Sequence, residues 1–419
     1  FVFLTTSIPF ATEREILILE KLPGPTLIII EKLESISTLF SLRINRILCI
    51  KLSFLIRFVC NLLVKNLLST FKPIKLLYPV QFIIKKFLII LFFFIIIPIK
   101  TYSLSDELND QGIITLMYHR FEENKYPSTN IRLDDFNEQL KLIKQNNFTF
   151  VNANNFEEYM TGRKNEKKIL LTIDDGFLSF YKNAWPILKK DKIPFILFVN
   201  TKEVNSNGYM NWEQVKELAK EDFVHIGNHS YSHGYLVDEP SDEIIKDIKR
   251  AISDFKKNLG YNSSFFSYPF GEYSNDFQKI VKELGFRYAF GQHSGVVDET
   301  KDLYALPRFP INEKYGDLKR FQTILKTLPF RYKSLTPKEK YINEENNPPK
   351  VIIEFFSDVK NIKSMNCYSN ENNIWQKSEL IFLEKNKVKV ALKGKFTTER
   401  GRINCSLRES SGFWRWLGV

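Results

Sequence analysis

The chain has 419 residues, 44% of them hydrophobic and 26% charged, with a formal net charge of +12. That length holds two domains and a targeting segment, and the composition excludes a fibrous or wholly disordered chain. Residues 1–100 carry 13 Lys and Arg against 5 Glu, so most of the excess charge sits there, and no later stretch forms the basic, aromatic-interleaved stripe of a nucleic-acid surface.

Residues 1–84 are apolar with scattered Lys and Arg and show no repeat or motif. The first methionine is Met117, and this stretch is read as unassigned upstream sequence. Lys85 and Lys86 precede an apolar run over 87–99, then Lys100-Thr101-Tyr102-Ser103. A short cationic patch, an apolar core and small polar residues have the shape of an export signal. Residues 85–103 are therefore expected to be a signal peptide, with an uncleaved membrane anchor as the alternative. A run of this length is short for a bilayer span.

From residue 112 the texture becomes regular. Apolar runs predict strands at 113–118, 168–173, 194–199, 224–226, 265–268 and 288–290. Helical spacing predicts helices at 136–145, 184–190, 212–220, 241–258 and 276–284, with Ser241 as an N-cap. Repeated strand–helix units imply an α/β fold, a parallel sheet or a (β/α) barrel, over 104–333. The polar stretch 334–349, with Pro337, Pro348 and Pro349, reads as a linker. Short strands at 350–356, 379–383 and 387–392 make 350–419 a small β-rich module. Cys367 and Cys405 form no CxxC pair, which excludes a zinc ribbon. A disulfide in an exported protein and a pair of small buried residues both stay open. Trp414 and Trp416 fit a sugar-stacking role or a core role equally.

Asp174 and Asp175 directly follow the apolar run 168–173. In a parallel barrel the C-terminal strand ends face the reaction site. Two adjacent carboxylates repel unless a metal ion and an opposing cation offset the repulsion. Successive residues at a strand end point in different directions, so one carboxylate can bind metal while the other faces substrate. Gly176 permits the turn that follows. The competing reading is a solvated Asp-Asp-Gly turn. His229 and His233, four apart, would share one face of a helical turn and converge on one ion; the alternative is two surface histidines on a loop. One Asp with two His is a sound zinc ligand set with positions left for water and substrate. Ser267 to Tyr273 runs from a strand end into a Pro-x-Gly turn, which can offer a backbone N–H to an oxyanion or be a turn and nothing more.

Taken in order, Thr172-Ile-Asp-Asp-Gly176, His229-Ser-Tyr-Ser-His233 and Tyr268-Pro-Phe-Gly271 resemble the motifs of the NodB-homology polysaccharide deacetylases, carbohydrate esterase family 4. Leu116-Met-Tyr-His-Arg120 is similar to the start of the branch containing poly-N-acetylglucosamine deacetylases. The resemblance covers roughly 112–312. It implies a distorted (β/α) barrel of the NodB type and a divalent metal, usually zinc. It also implies Asp174 as catalytic base and Asp175, His229 and His233 as metal ligands. Phe270, after Pro269, would supply the oxyanion N–H, and His119 would line the site.

The sequence departs from that pattern twice. No Arg opens the third motif, and Arg308, after a late strand, is taken as its replacement. No Leu-x-His acid follows the barrel; His293 is the candidate donor, or else a loop histidine. His225 reads as a strand histidine with a structural partner. The expected activity is removal of N-acetyl groups from an N-acetylglucosamine polysaccharide outside the cytoplasm. The alternatives are an O-acetyl esterase on xylan or another glycan, and a glycan-binding barrel without catalysis.

Overall fold

The computed structural model describes residues 111–161 and 166–419. The segment expected at 85–103 and the unassigned residues 1–84 lie outside the described residues.

Six parallel strands form the main path of the nine-stranded first sheet: β1 (Ile113–Tyr118), β2 (Lys168–Ile173), β3 (Phe195–Val199), β4 (Val224–Asn228), β5 (Phe265–Ser267) and β6 (Tyr288–Phe290), hydrogen-bonded in that order. Every residue of β1, β2 and β3 is buried. A parallel strand covered on both faces must be apolar throughout, which is why these segments read as continuous runs rather than alternations. Lys168, at the start of β2, is tolerated because its ammonium donates to the Tyr159 carbonyl at 2.7 Å.

A seventh segment closes the sheet. Leu306 bridges Phe290 in parallel, and β7 (Phe309–Pro310) pairs in parallel with Leu116 and Met117 of β1. Residues 306–310 thus sit between the last strand and the first, completing the distorted barrel. No strand is legible there in the sequence, because Pro307 and Pro310 break the apolar run.

Helices α1 (Leu133–Gln145), α2 (Trp185–Lys190), α3 (Trp212–Ala219), α4 (Ser241–Leu259) and α5 (Asn275–Glu283) link the strands. Helix α4 buries Ile244, Ile248, Ala251 and Phe255, a single stripe at helical spacing. Ser241 is its first residue and not its cap: Pro240 holds the cap position, with no side-chain cap bond. Helix α3 has a full capping box, in which Asn211 and Gln214 each accept from the other's backbone N–H.

The second sheet has eight strands: β8 (Thr327–Pro329), β9 (Tyr332–Thr336), β10 (Val351–Phe355), β11 (Asn366–Ser369), β12 (Gln376–Glu384), β13 (Lys387–Ala391), β14 (Ile403–Arg408) and β15 (Trp414–Gly418), in spatial order β8-β15-β14-β11-β12-β13-β10-β9. It recruits β8 from ahead of the 334–349 stretch and β9 across its start, and the rest of that stretch packs rather than dangles: Glu339 accepts from the Asn275 N–H at 3.1 Å, and Ile342 packs on the module core. Cys367 and Cys405 are directly opposed on β11 and β14 and joined as a buried disulfide. Trp416 packs edge-on against Phe309 at 5.9 Å, and its indole N–H donates to Asn404, so it fastens the module to the closing strand. Trp414 stays half-buried under the Arg408 guanidinium. Among the described residues, no helix is long and apolar enough to cross a membrane.

Candidate active site

The strand ends of β2, β4 and β5, with the closing segment, converge on one cluster. After β2 the chain turns sharply: Asp175 and Gly176 both hold φ of 75°. With Asp175 left-handed just past the strand end, the two carboxylates point different ways, as the sequence implied.

Asp174 is fully buried and faces Arg308. The guanidinium grips it through both oxygens, Nη1 to Oδ1 at 2.7 Å and Nη2 to Oδ2 at 2.9 Å. The remaining donors of Arg308 go to Thr172 Oγ1 (3.2 Å), Ser267 Oγ (2.9 Å) and the Gly291 carbonyl (2.9 Å). All five N–H groups are thereby used, which is the condition for burying an arginine. The rings of Phe198 and Phe290 lie 5.7 and 5.8 Å from its centre and keep water away. Burial pushes the Asp174 pKa up, but Arg308, helped by His229 and His119, outweighs it and holds the carboxyl below its usual value.

Asp175 faces the two histidines. Its Oδ1 lies 3.4 Å from His229 Nε2 and 3.2 Å from His233 Nε2. His229 Nδ1 sits 2.7 Å from the Ser267 carbonyl and must donate to it, which leaves the Nε2 lone pair turned inward. The ligand atoms of Asp175, His229 and His233 all lie within 4.8 Å of one another. Asp175 Oδ1 is buried without a hydrogen-bond partner. A buried orphan oxygen beside two inward imidazole nitrogens fits a divalent cation. Burial would raise the Asp175 pKa, yet the two imidazoles hold it well below the usual carboxylate range.

The histidines do not share a helical turn. Residues 229–233 form a loop after β4, with left-handed φ at Ser230 (65°) and His233 (51°). Asp247 of α4 winds that loop around itself, accepting the Tyr231 N–H at 2.8 Å and the Ser232 N–H at 3.0 Å. Ser230 Oγ accepts the His233 N–H at 3.0 Å. Convergence thus comes from side-chain-braced loop geometry rather than from helical spacing.

Pro269 starts a short turn in which Phe270 has φ 58° and Gly271 φ 76°. Among the described residues the Phe270 N–H has no acceptor. The Phe270 ring lies 4.8 Å from that of His233. A side chain at 271 would collide with Gln292, whose Cβ lies 2.4 Å from the position it would take. Left-handed Asp175, Ser230, His233 and Phe270 together mark the site as locally strained, a usual property of functional centres.

His119, just past β1, is coupled electrostatically to both aspartates; burial lowers its pKa, against their opposing pull. His225 meets Ser263 Oγ at 3.1 Å and the Phe265 ring, as a structural strand histidine. His293 is not brought to the cluster. Its ring neighbours Tyr273, and it lines a cavity of about 500 Å³ between barrel and module with Tyr332, Lys340 and Arg402. Burial, then Lys340 and Arg402, lower its pKa to about 3, which disfavours the imidazolium that an acid donor would need at neutral pH. Thr172, Ser267, Gly291 and Asp247 were not singled out as site residues in the sequence. Thr172 and Ser267 lie inside quoted motifs, whereas nothing in the sequence marks Asp247.

Residues 161–289 match the family model for polysaccharide deacetylase. That span includes Asp174, Asp175, His229, His233 and Phe270 but not Arg308. The poly-beta-1,6-N-acetyl-D-glucosamine N-deacetylase of Staphylococcus aureus (strain MSSA476) is 26% identical over 192 residues, or 42% of this chain and 66% of that protein. The protein of the same name from Staphylococcus epidermidis is 25% identical over 235 residues, covering 53% of this chain and 78% of that one. The solved structure of IcaB from Ammonifex degensii aligns with a TM-score of 0.48 at 27% identity, over 52% of this chain and 98% of that chain.

Proposed function

We propose that this chain, which carries a polysaccharide deacetylase domain, is a metal-dependent N-deacetylase of an N-acetylglucosamine polysaccharide at the cell envelope. The observation that carries the reading is the division of the paired aspartates, Asp174 to Arg308 and Asp175 to the two histidines. The relatives' named substrate, poly-β-1,6-N-acetylglucosamine, makes that polymer the substrate to test first. The disulfide supports an oxidising compartment. Residues 85–103 would supply the export signal or a membrane tether.

Asp175, His229 and His233 would hold the cation, zinc being the natural choice for one carboxylate and two imidazoles. When bound, it would supply Lewis-acid polarisation and a more acidic water. The chain's own groups do the rest. Asp174, kept ionised by Arg308, takes the proton from the attacking water. The Phe270 N–H, free of any acceptor, meets the oxyanion as the acetyl carbon becomes tetrahedral. Collapse breaks the C–N bond, and the proton collected by Asp174 is returned to the leaving glucosamine nitrogen. The products are acetate and a free amine on the polymer. His119 lines the site as a substrate contact. His293 is not kept as the donor.

The test is acetate release by the zinc-loaded chain from β-1,6 and β-1,4 N-acetylglucosamine oligomers and from acetylated xylan. Release from a glucosamine oligomer and not from xylan supports the reading. Release from xylan alone supports the esterase alternative and overturns it.

A further inference from the structure

We propose that Arg400, on the C-terminal module, is a positioning residue that fixes the 268–273 turn of the barrel's site, so that the module acts on turnover rather than on glycan affinity. The kinetic part of this inference rests on the deacetylase reading.

The loop between β13 and β14 reaches across to the barrel. Arg400 Nε donates to Glu272 Oε1 at 2.6 Å, and Arg400 Nη2 donates to Gln292 Oε1 at 2.9 Å. Glu272 is two residues past Phe270. The Gln292 side chain fills the space over Gly271, so both partners of Arg400 abut the turn that aims the Phe270 N–H. Arg402 adds a longer contact to the same Glu272 oxygen at 3.6 Å. The neighbouring Glu399 carbonyl accepts the Tyr235 hydroxyl at 3.2 Å. Tyr235 is two residues past His233, and its ring lies 5.6 Å from that of Phe270. One short segment therefore touches the turn bearing the oxyanion donor and the loop bearing a metal ligand.

That segment is itself anchored. The Asn370 side chain donates to the Arg400 carbonyl at 3.2 Å, and the Asn370 N–H donates to the Arg402 carbonyl at 3.1 Å. The turn it steadies contains a non-glycine residue at φ 58°, a conformation that costs about 1–3 kcal/mol and persists only where surrounding contacts impose it. A planar fork gripping two acceptors suits that task, and a lysine cannot reproduce both bonds.

The experiment compares the full chain with Arg400→Ala, Arg400→Lys, Gln292→Ala and the Arg400→Ala/Gln292→Ala double variant. Amide hydrogen exchange in 268–273 should rise in Arg400→Ala and fall partway back in Arg400→Lys, with 168–173 unchanged. On N-acetylglucosamine oligomers kcat of Arg400→Ala should fall about tenfold, because the turn that aims the Phe270 N–H is no longer held. KM and zinc affinity should stay within about twofold, and the double variant should be no slower than Arg400→Ala. Unchanged exchange at 268–273 overturns the proposal. So does loosening that extends to 168–173, or a loss that appears in KM or in zinc affinity. If the zinc-loaded wild type releases no acetate, the deacetylase reading fails, and the exchange measurement still decides the role of Arg400.

Discussion

Replacing Arg308 with methionine removes the cation and keeps most of the side-chain volume. Asp174 then loses both short hydrogen bonds while remaining fully buried, and Thr172, Ser267 and the Gly291 carbonyl each lose a donor. Breaking a buried pair by deleting one partner costs about 3–5 kcal/mol, most of it the charge left behind. Urea unfolding in EDTA should show that loss in Arg308→Met. The Asp174→Asn/Arg308→Met double variant should recover about 2 kcal/mol or more, because the orphan charge is gone.

The pH dependence has a definite sign. In the wild type the folded pKa of Asp174 is lowered, so its contribution is present above the unfolded value and is lost as pH falls through the folded one. Without Arg308, burial acts alone and raises that pKa. The deficit of Arg308→Met should then shrink as the pH is lowered, and the acid limb of its activity profile should move to higher pH. A loss under about 1 kcal/mol, or strict additivity with Asp174→Asn, would falsify the idea that the guanidinium holds this carboxylate.

Three further outcomes are expected. Zinc at a hundredfold excess over its Kd should stabilise the wild type by about 2.7 kcal/mol, whereas Asp175→Asn and His229→Gln should show little zinc-dependent rise in Tm. His225 and His293 are half-buried, with pKa values lowered by desolvation to about 4 and about 3. The unfolded chain takes up protons first, so stability should fall as the pH drops from about 6.5 toward those values, by up to about 1.4 kcal/mol per pH unit per histidine; His225→Gln should flatten that slope in urea titrations. Cys367 and Cys405 are 38 residues apart, and the double serine variant should lose roughly 4 kcal/mol by the chain-entropy argument, read as a lower denaturation midpoint.

The parts of the fold legible in the sequence were those carried by local pattern. Strands β1, β2 and β6 emerged at their observed limits because strands buried on both faces are apolar without interruption. Asp174 and Asp175 stood out because adjacent carboxylates at the end of such a run need partners. Arg308 was placed from its position after a late strand, and the structure puts it on Asp174. Tertiary contacts left weaker traces. The strand at 306–310 is held between β6 and β1 despite two prolines, so its own pattern hides it. The histidine loop is set by left-handed residues and by Asp247, neither of which spacing reveals. His293 sits in a sequence neighbourhood compatible with the site, but its ring turns toward Tyr273 and the module. Residues 327–329 pair with β15 near the end of the chain and residues 332–336 with β10 just beyond the 334–349 stretch, pairings that local pattern does not show.

The central claim is that Asp174 is the base beside a metal held by Asp175, His229 and His233. Its most direct measurement is zinc content and acetate release from an N-acetylglucosamine oligomer, for the full chain and for Asp174→Asn. The account predicts one zinc per chain in both proteins, with release in the wild type and a loss of at least about a hundredfold in the variant. Undiminished release from Asp174→Asn, or a wild type that binds zinc and releases nothing, would contradict it.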